Sequence, residues 1–235
     1  QVYRAGQDFT RAAATLEEIK SNSEKAGNDA TLALAHNELG KIAFDSGNYD
    51  AAIGHFKQAA EYYEYVANRA AVAAATNAAG AMLTVKGSYA EAQNQYKQAK
   101  SLAERLKLNK EIAAINNNTG VLYHMQGNFS DALAQYRLAF DAWTKENNPS
   151  AALPALLNMA VVNADMGNYR EAYRLYQQVE ELVEQVGGKL PDEPVQLSMK
   201  KTETALLQAT DLAVQLSEPD VAFTLAARHK NNVAA

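Results

Sequence analysis

The sequence contains no cysteine. That excludes a disulfide framework, a thiolate metal site and a cysteine nucleophile, and it leaves the redox compartment open. Proline is scarce, with five residues that all lie after position 148. There is no basic run: Lys and Arg number 22 against 27 Asp and Glu, a formal charge of −5. A phosphate-backbone binder needs clustered cations to displace counterions, so no nucleic-acid partner is expected. No apolar stretch approaches the ~20 residues of a membrane-spanning helix. His-Glu-x-x-His, a phosphate-binding Gly-Lys loop, a Gly-rich dinucleotide turn and a Gly-x-Ser-x-Gly elbow are all missing. An enzyme, a resident metal and a cofactor are therefore not expected. Residue 1 is Gln, which fits either a cleaved leader or a larger parent chain.

What is abundant is alanine, roughly a fifth of the 235 residues. Alanine is the best helix former and proline the worst, so the composition already reads as all-α. A repeat with a period of 40 residues then dominates the chain. Gly47-Asn48-Tyr49 returns as Gly87-Ser88-Tyr89, Gly127-Asn128-Phe129 and Gly167-Asn168-Tyr169, with a degenerate first copy at Gln7-Asp8-Phe9. Three positions after each aromatic stands Ala12, Ala52, Ala92, Ala132 or Ala172, and four further on Leu16, Phe56, Tyr96, Tyr136 or Tyr176. Upstream, Gly40, Gly80, Gly120 and Ala160 share one register position.

Each element has a physical reading. Gly supplies a tight turn, and the Asn or Ser after it caps the next helix. The recurring Ala and Gly mark places where two helices approach closely, and the aromatics, seven apart on one helix face, fill the space between neighbours. Each unit is therefore a helix A, a short turn and a helix B. The pattern predicts helices A over 30–45, 70–85, 110–125 and 151–165, helices B over 49–66, 89–107, 129–146 and 169–186, about ten helices in all and no strand.

The register of Leu39, Gly40, Gly47, Tyr49, Ala52, Phe56 and Ala59 resembles the tetratricopeptide repeat (TPR) family, in a long form. The family's usual period is about 34, with a proline ending helix B. Here Glu64, Glu104, Thr144 and Glu184 take that place, so helix B can run on. The resemblance implies an all-α superhelical solenoid of helix-turn-helix repeats over residues 1–188: a half-repeat at 1–28, then repeats 29–68, 69–108, 109–148 and 149–188. Residues 189–235 are expected to form a loop and C-terminal capping helices, since the last repeat of a solenoid must cover its open apolar face.

Asn37, Asn77 and Asn117 occupy one repeat position, where the fourth unit has Leu157. Asn is unfavourable inside a helix, so its amide is expected to act. It either bonds the adjacent repeat or, as the resemblance implies for this position of helix A, faces a ligand groove. An amide both donates and accepts, which suits peptide main chain. The resemblance places Lys41, Ala74, Ala81, Val85, Ala114, Val121, His124 and Met125 in the same groove. Leu34, Phe44 and Pro154 share those register positions. Lys41 is the lone cation in the set, so the cationic clamp by which chaperone-binding members of the family hold a C-terminal carboxylate is not expected. The four histidines stand at no metal-ligand spacing, and His36 and His124 are read as packing or surface side chains.

The function implied is a non-enzymatic protein–protein interaction module that binds a peptide segment of a partner. The alternative is a scaffold working through its ends or through self-association, or the sensor part of a larger signalling protein. Helix A of the first copy is nearly absent, so Phe9, Leu16 and Ile19 are expected to be under-covered. That open N-terminal end could recruit upstream chain or a second copy.

Overall fold

The computed structural model describes residues 2–186, and the expected loop and cap at 189–235 lie outside them. The described residues form α1 (Val2–Ala26), α2 (Asp29–Asp45), α3 (Tyr49–Tyr65), α4 (Arg69–Lys86), α5 (Tyr89–Arg105), α6 (Asn109–Met125), α7 (Phe129–Lys145), α8 (Pro149–Asp165) and α9 (Tyr169–Gln185), with no strand among them. Apart from α1 and the 18-residue α4, every helix is 17 residues long.

The turns explain that uniformity. The residue after each of the first eight helices, or one further on, sits in the left-handed region: Gly27, Gly47, Ala67, Gly87, Lys107, Gly127, Asn147 and Gly167, with φ between 51° and 84°. Its N–H bonds the carbonyl three residues back, and the next N–H bonds the carbonyl five back, as in Asn48 to Ala43 at 2.8 Å and Asn68 to Tyr63 at 2.9 Å. This is the Schellman closure of a helix end, and it satisfies carbonyls that have no partner within the helix. The device thus recurs every 20 residues, once for A to B and once for B to A. Asn28, Asn48, Asn68 and Asn148 then cap the next helix, each accepting from the N–H three residues on. Leu108 cannot cap and instead packs against the core.

Residues 7–9 depart from the expected pattern. They lie inside α1, which runs unbroken from Val2 to Ala26. Gln7 stands where the other copies have a left-handed Gly, so nothing stops the helix there.

The chain divides into two compact units, Gln1–Asn128 and Phe129–Ala235. In the first, each helix from α1 to α6 packs on the next in sequence, and the helices A of the second and third full repeats, α4 and α6, also touch. In the second, α7 packs on α8 and α8 on α9. Stacked helix hairpins of this kind are the all-α solenoid architecture.

The expected small positions of the full repeats are buried, whereas Ala12 of the first copy is exposed. Ala52, Ala92 and Ala132 are fully covered, as are Ala59, Ala79 and Ala139. Gly40 and Gly80 make room for aromatic rings: a Cβ on Gly40 would lie 2.8 Å from the Phe56 ring, and one on Gly80 would lie 2.7 Å from the Tyr96 ring. The buried Tyr96 hydroxyl shares a 3.0 Å hydrogen bond with Thr84 Oγ1, which itself donates to the Gly80 carbonyl at 3.0 Å. Burial pushes the Tyr96 phenol up to about 12. Phe56, at the same register position one repeat earlier, is as deeply buried and needs no polar partner.

Candidate functional site

In the first unit the groove positions fall on one face of each helix A, because spacings of three, four and seven residues share a side of an α-helix. On α2, Leu34 and Phe44 are 56% and 43% exposed. On α4, Val85 is 48% exposed and Ala74 is also open, while Ala81 is half-buried. On α6, Met125 is 56% exposed, and Ala114, Val121 and His124 are half-buried. Large apolar side chains thus stand in water on three helices at shared register positions.

The three asparagines are half-buried along the same faces. Asn77 Oδ1 accepts from Asn118 Nδ2 at 3.1 Å, across the α4–α6 contact. The acceptor half of this amide thus serves the neighbouring repeat. Asn37 donates to Glu38 on its own helix at 3.2 Å. Lys41, the lone cation of the expected set, is ion-paired with the same Glu38 at 2.6 Å.

Leu157 corrects the register reading. It is buried, only 8% exposed, with Leu153, Leu156, Met159 and Val162 around α8 also buried. An apolar side chain at the Asn position gains more from the core than from water, and α8 is apolar nearly all round. Pro154 on the same helix is exposed.

A cluster that motif spacing did not reveal lies between α2 and α3. His36 Nδ1 and His55 Nδ1 are 3.1 Å apart, and the His36 ring stacks on Tyr62 at 5.5 Å. Burial lowers both imidazoles from their ordinary value. For His36 the neighbouring His55 and then Lys20 push the same way, while Glu17 and Glu24 oppose them. Among the described residues no group of three or more His, Asp or Glu is placed to hold a metal. The 19-residue separation was the available signal: it joins positions that hold Leu156 and Leu175 in the last repeat, a pair buried between helices A and B.

At the N-terminal end, Ile19 is 39% exposed, while Phe9 and Leu16 are half-buried beside α2. The later counterparts of Leu16, namely Phe56, Tyr96, Tyr136 and Tyr176, are all buried, so this end is the less covered one. No helix among the described residues is long and apolar enough to cross a membrane.

Paired helices closed by the same turn define a helix-hairpin repeat protein, a class of protein–protein interaction module. Models of the tetratricopeptide repeat match residues 33–65, 71–145 and 154–182, and the chain belongs to that family. No curated protein matches it. Among solved structures it resembles BtubC from P. vanneervenii, at 18% identity and a TM-score of 0.67 over 81% of this chain and 79% of that one. It also resembles the apo form of RapI, at 12% identity and a TM-score of 0.69 over 99% and 96%. A third likeness is to the Rap conjugation gene regulator of plasmid pLS20 in complex with a Phr peptide, at 16% identity and a TM-score of 0.66 over 96% and 71%. At these identities the likeness establishes the fold.

Proposed function

We propose that the helix A face of the first unit holds an extended, largely apolar peptide segment of a partner protein, without catalysis. The observation that carries this reading is the exposed row Leu34, Phe44, Val85 and Met125, set beside half-buried Asn37, Asn77 and Asn117. The apolar row takes ligand side chains and the amides take main chain, so binding demands little of the ligand's charge and depends weakly on salt. Asn77 contributes as a donor, since its oxygen already serves Asn118. Family membership and the peptide held by one structural relative agree with this assignment.

A peptide array probed with the whole chain tests it. Asn77→Ala together with Asn117→Ala should weaken the strongest hits by about 0.5–1.5 kcal/mol for each amide lost. Met125→Glu should weaken them more, by placing a charge on the apolar row. The variants are compared at matched melting temperature, and hits that survive all three changes at full strength rule the face out.

A further inference from the structure

A cavity of about 450 Å³ opens between α4 and α5, away from the helix A row, lined by Val72, Thr76, Lys97, Ser101, Leu102 and Arg105 among others. No carboxylate is among its lining residues, although the chain as a whole is acidic. Two comparisons within the molecule show what the space lacks.

The first comparison concerns volume. One repeat earlier, the positions of Thr76 and Leu102 carry His36 and Tyr62, whose rings stack at 5.5 Å and occupy the corresponding space. In the last repeat the same positions carry Leu156 and Leu182. Thr76 is smaller than His36 or Leu156 at the first position, and a cavity stands open beside it; the third repeat carries Asn116 and Ala142 at the two positions. The second comparison concerns charge. Along α5, Lys97, Ser101 and Arg105 follow one another at intervals of four and so share a stripe. The α7 equivalents are Arg137, Asp141 and Lys145, cation, acid, cation. The middle position is also acidic as Glu61 in α3 and Glu181 in α9. Only in α5 do two cations flank a hydroxyl donor, since α1 has Ser21 at the middle position but Glu17 before it.

We propose that this cavity is a second docking site, for an acidic segment of a partner protein. A ligand carboxylate lies over Ser101 between Lys97 and Arg105, where the other repeats supply their own acid. An adjacent aromatic side chain enters between Val72, Thr76 and Leu102, where the first repeat supplies its own rings. Charge selects the segment and the cavity selects the side chain. Two cations on one stripe, in a chain of net charge −5, match a short acidic peptide rather than a polyanionic nucleic acid.

The experiment is fluorescence polarisation of the whole chain with a labelled peptide that carries one tyrosine flanked by glutamates. The controls replace the tyrosine with alanine, the glutamates with glutamine, or the peptide with single-stranded DNA of equal charge. Binding of the tyrosine–glutamate peptide should fall steeply with salt. It should drop about tenfold in Lys97→Ala/Arg105→Ala, the product of two exposed charge contacts. The filling variant Thr76→His/Leu102→Tyr rebuilds the first repeat's contents and should abolish binding while the protein still melts cooperatively. Binding that ignores the tyrosine, survives the filling variant, or is matched by DNA overturns the proposal, and so does the absence of binding. Leu34, Phe44, Val85 and Met125 are untouched by these variants, so this site and the helix A face stand or fall separately.

Discussion

The first full repeat and the last share one frame and fill it with opposite chemistry. Both have a left-handed glycine closing helix A, an aromatic buried from helix B and 17-residue helices. Yet between the two helices the first places His36, His55 and Tyr62, and the last places Leu156, Leu175 and Leu182. His36 and Leu156 are both buried, at 8% and 2% exposure. The turns and the small-against-large contacts set the frame, and the layer between helices A and B then varies from titratable to purely apolar. A part-buried polar pair is tolerated where its members satisfy one another, as the two imidazoles do across 3.1 Å.

The sharpest way to break this comparison is to move one repeat's chemistry into the other. Leu156→His would bury an imidazole opposite Leu175 with no partner, and should cost about 3 kcal/mol or more. Urea unfolding measures it, and a parent-like midpoint would mean that the two layers are interchangeable side by side. Next in size is the close approach itself. Gly80→Ala puts a Cβ against the Tyr96 ring and should cost about 1–3 kcal/mol by overpacking. The last repeat already carries Ala160 at this position beside its own buried Tyr176. Ala160→Gly should therefore lose only the helix-propensity difference, about 0.5–1 kcal/mol.

Smaller, and of opposite sign, is the effect at the turns from B to A. Ala67 and Lys107 hold φ of 55° and 56°, where Gly27 does the same work without a side chain. Ala67→Gly and Lys107→Gly should each stabilise by about 0.5–1 kcal/mol, because relief of left-handed strain outweighs the added freedom of the unfolded chain. Thermal melts that fall rather than rise would contradict the turn assignment. The smallest effect is the pH response of the first repeat. Both imidazoles are lowered in the folded state, so the unfolded chain takes up protons first as pH falls below the ordinary value near 6.5. Their contribution is complete above that value and is lost on the way down to the folded values. The drop in Tm between pH 7 and pH 5 should therefore shrink in His36→Leu/His55→Leu, which copies the last repeat. An unchanged drop would assign the acid sensitivity to other groups.

Much of this was legible in the residues. The 40-residue register located eight helices to within about two residues at each end, and Ala52, Ala92 and Ala132 were read as helix contacts and are fully buried. The misses share a cause. Ala67 and Lys107 are not turn formers by composition, so the breaks from helix B to helix A were placed, but their left-handed closure, and with it the 20-residue spacing of the device, showed only in the backbone. Gln7-Asp8-Phe9 was read as a turn on its register alone, although the glycine that makes the turn is missing there. Leu157 was carried to the groove by position, but burial decides for a leucine. Asn77 was assigned to a ligand or to a neighbour, and its oxygen went to Asn118, one position beyond the asparagine register that drew notice.

The sequence by itself determined the hairpin, its length and the residues that let helices touch. These rest on local rules: a left-handed residue and a cap end a helix, and a glycine admits a ring. The tertiary structure decided which side chains meet between elements: His36 with His55, Asn77 with Asn118, Lys100 with Asn116 at 2.8 Å, and the cavity beside Thr76. Those meetings depend on how far each helix is turned about its axis when it packs on the next. That rotation is set by all the buried contacts together and by no single motif.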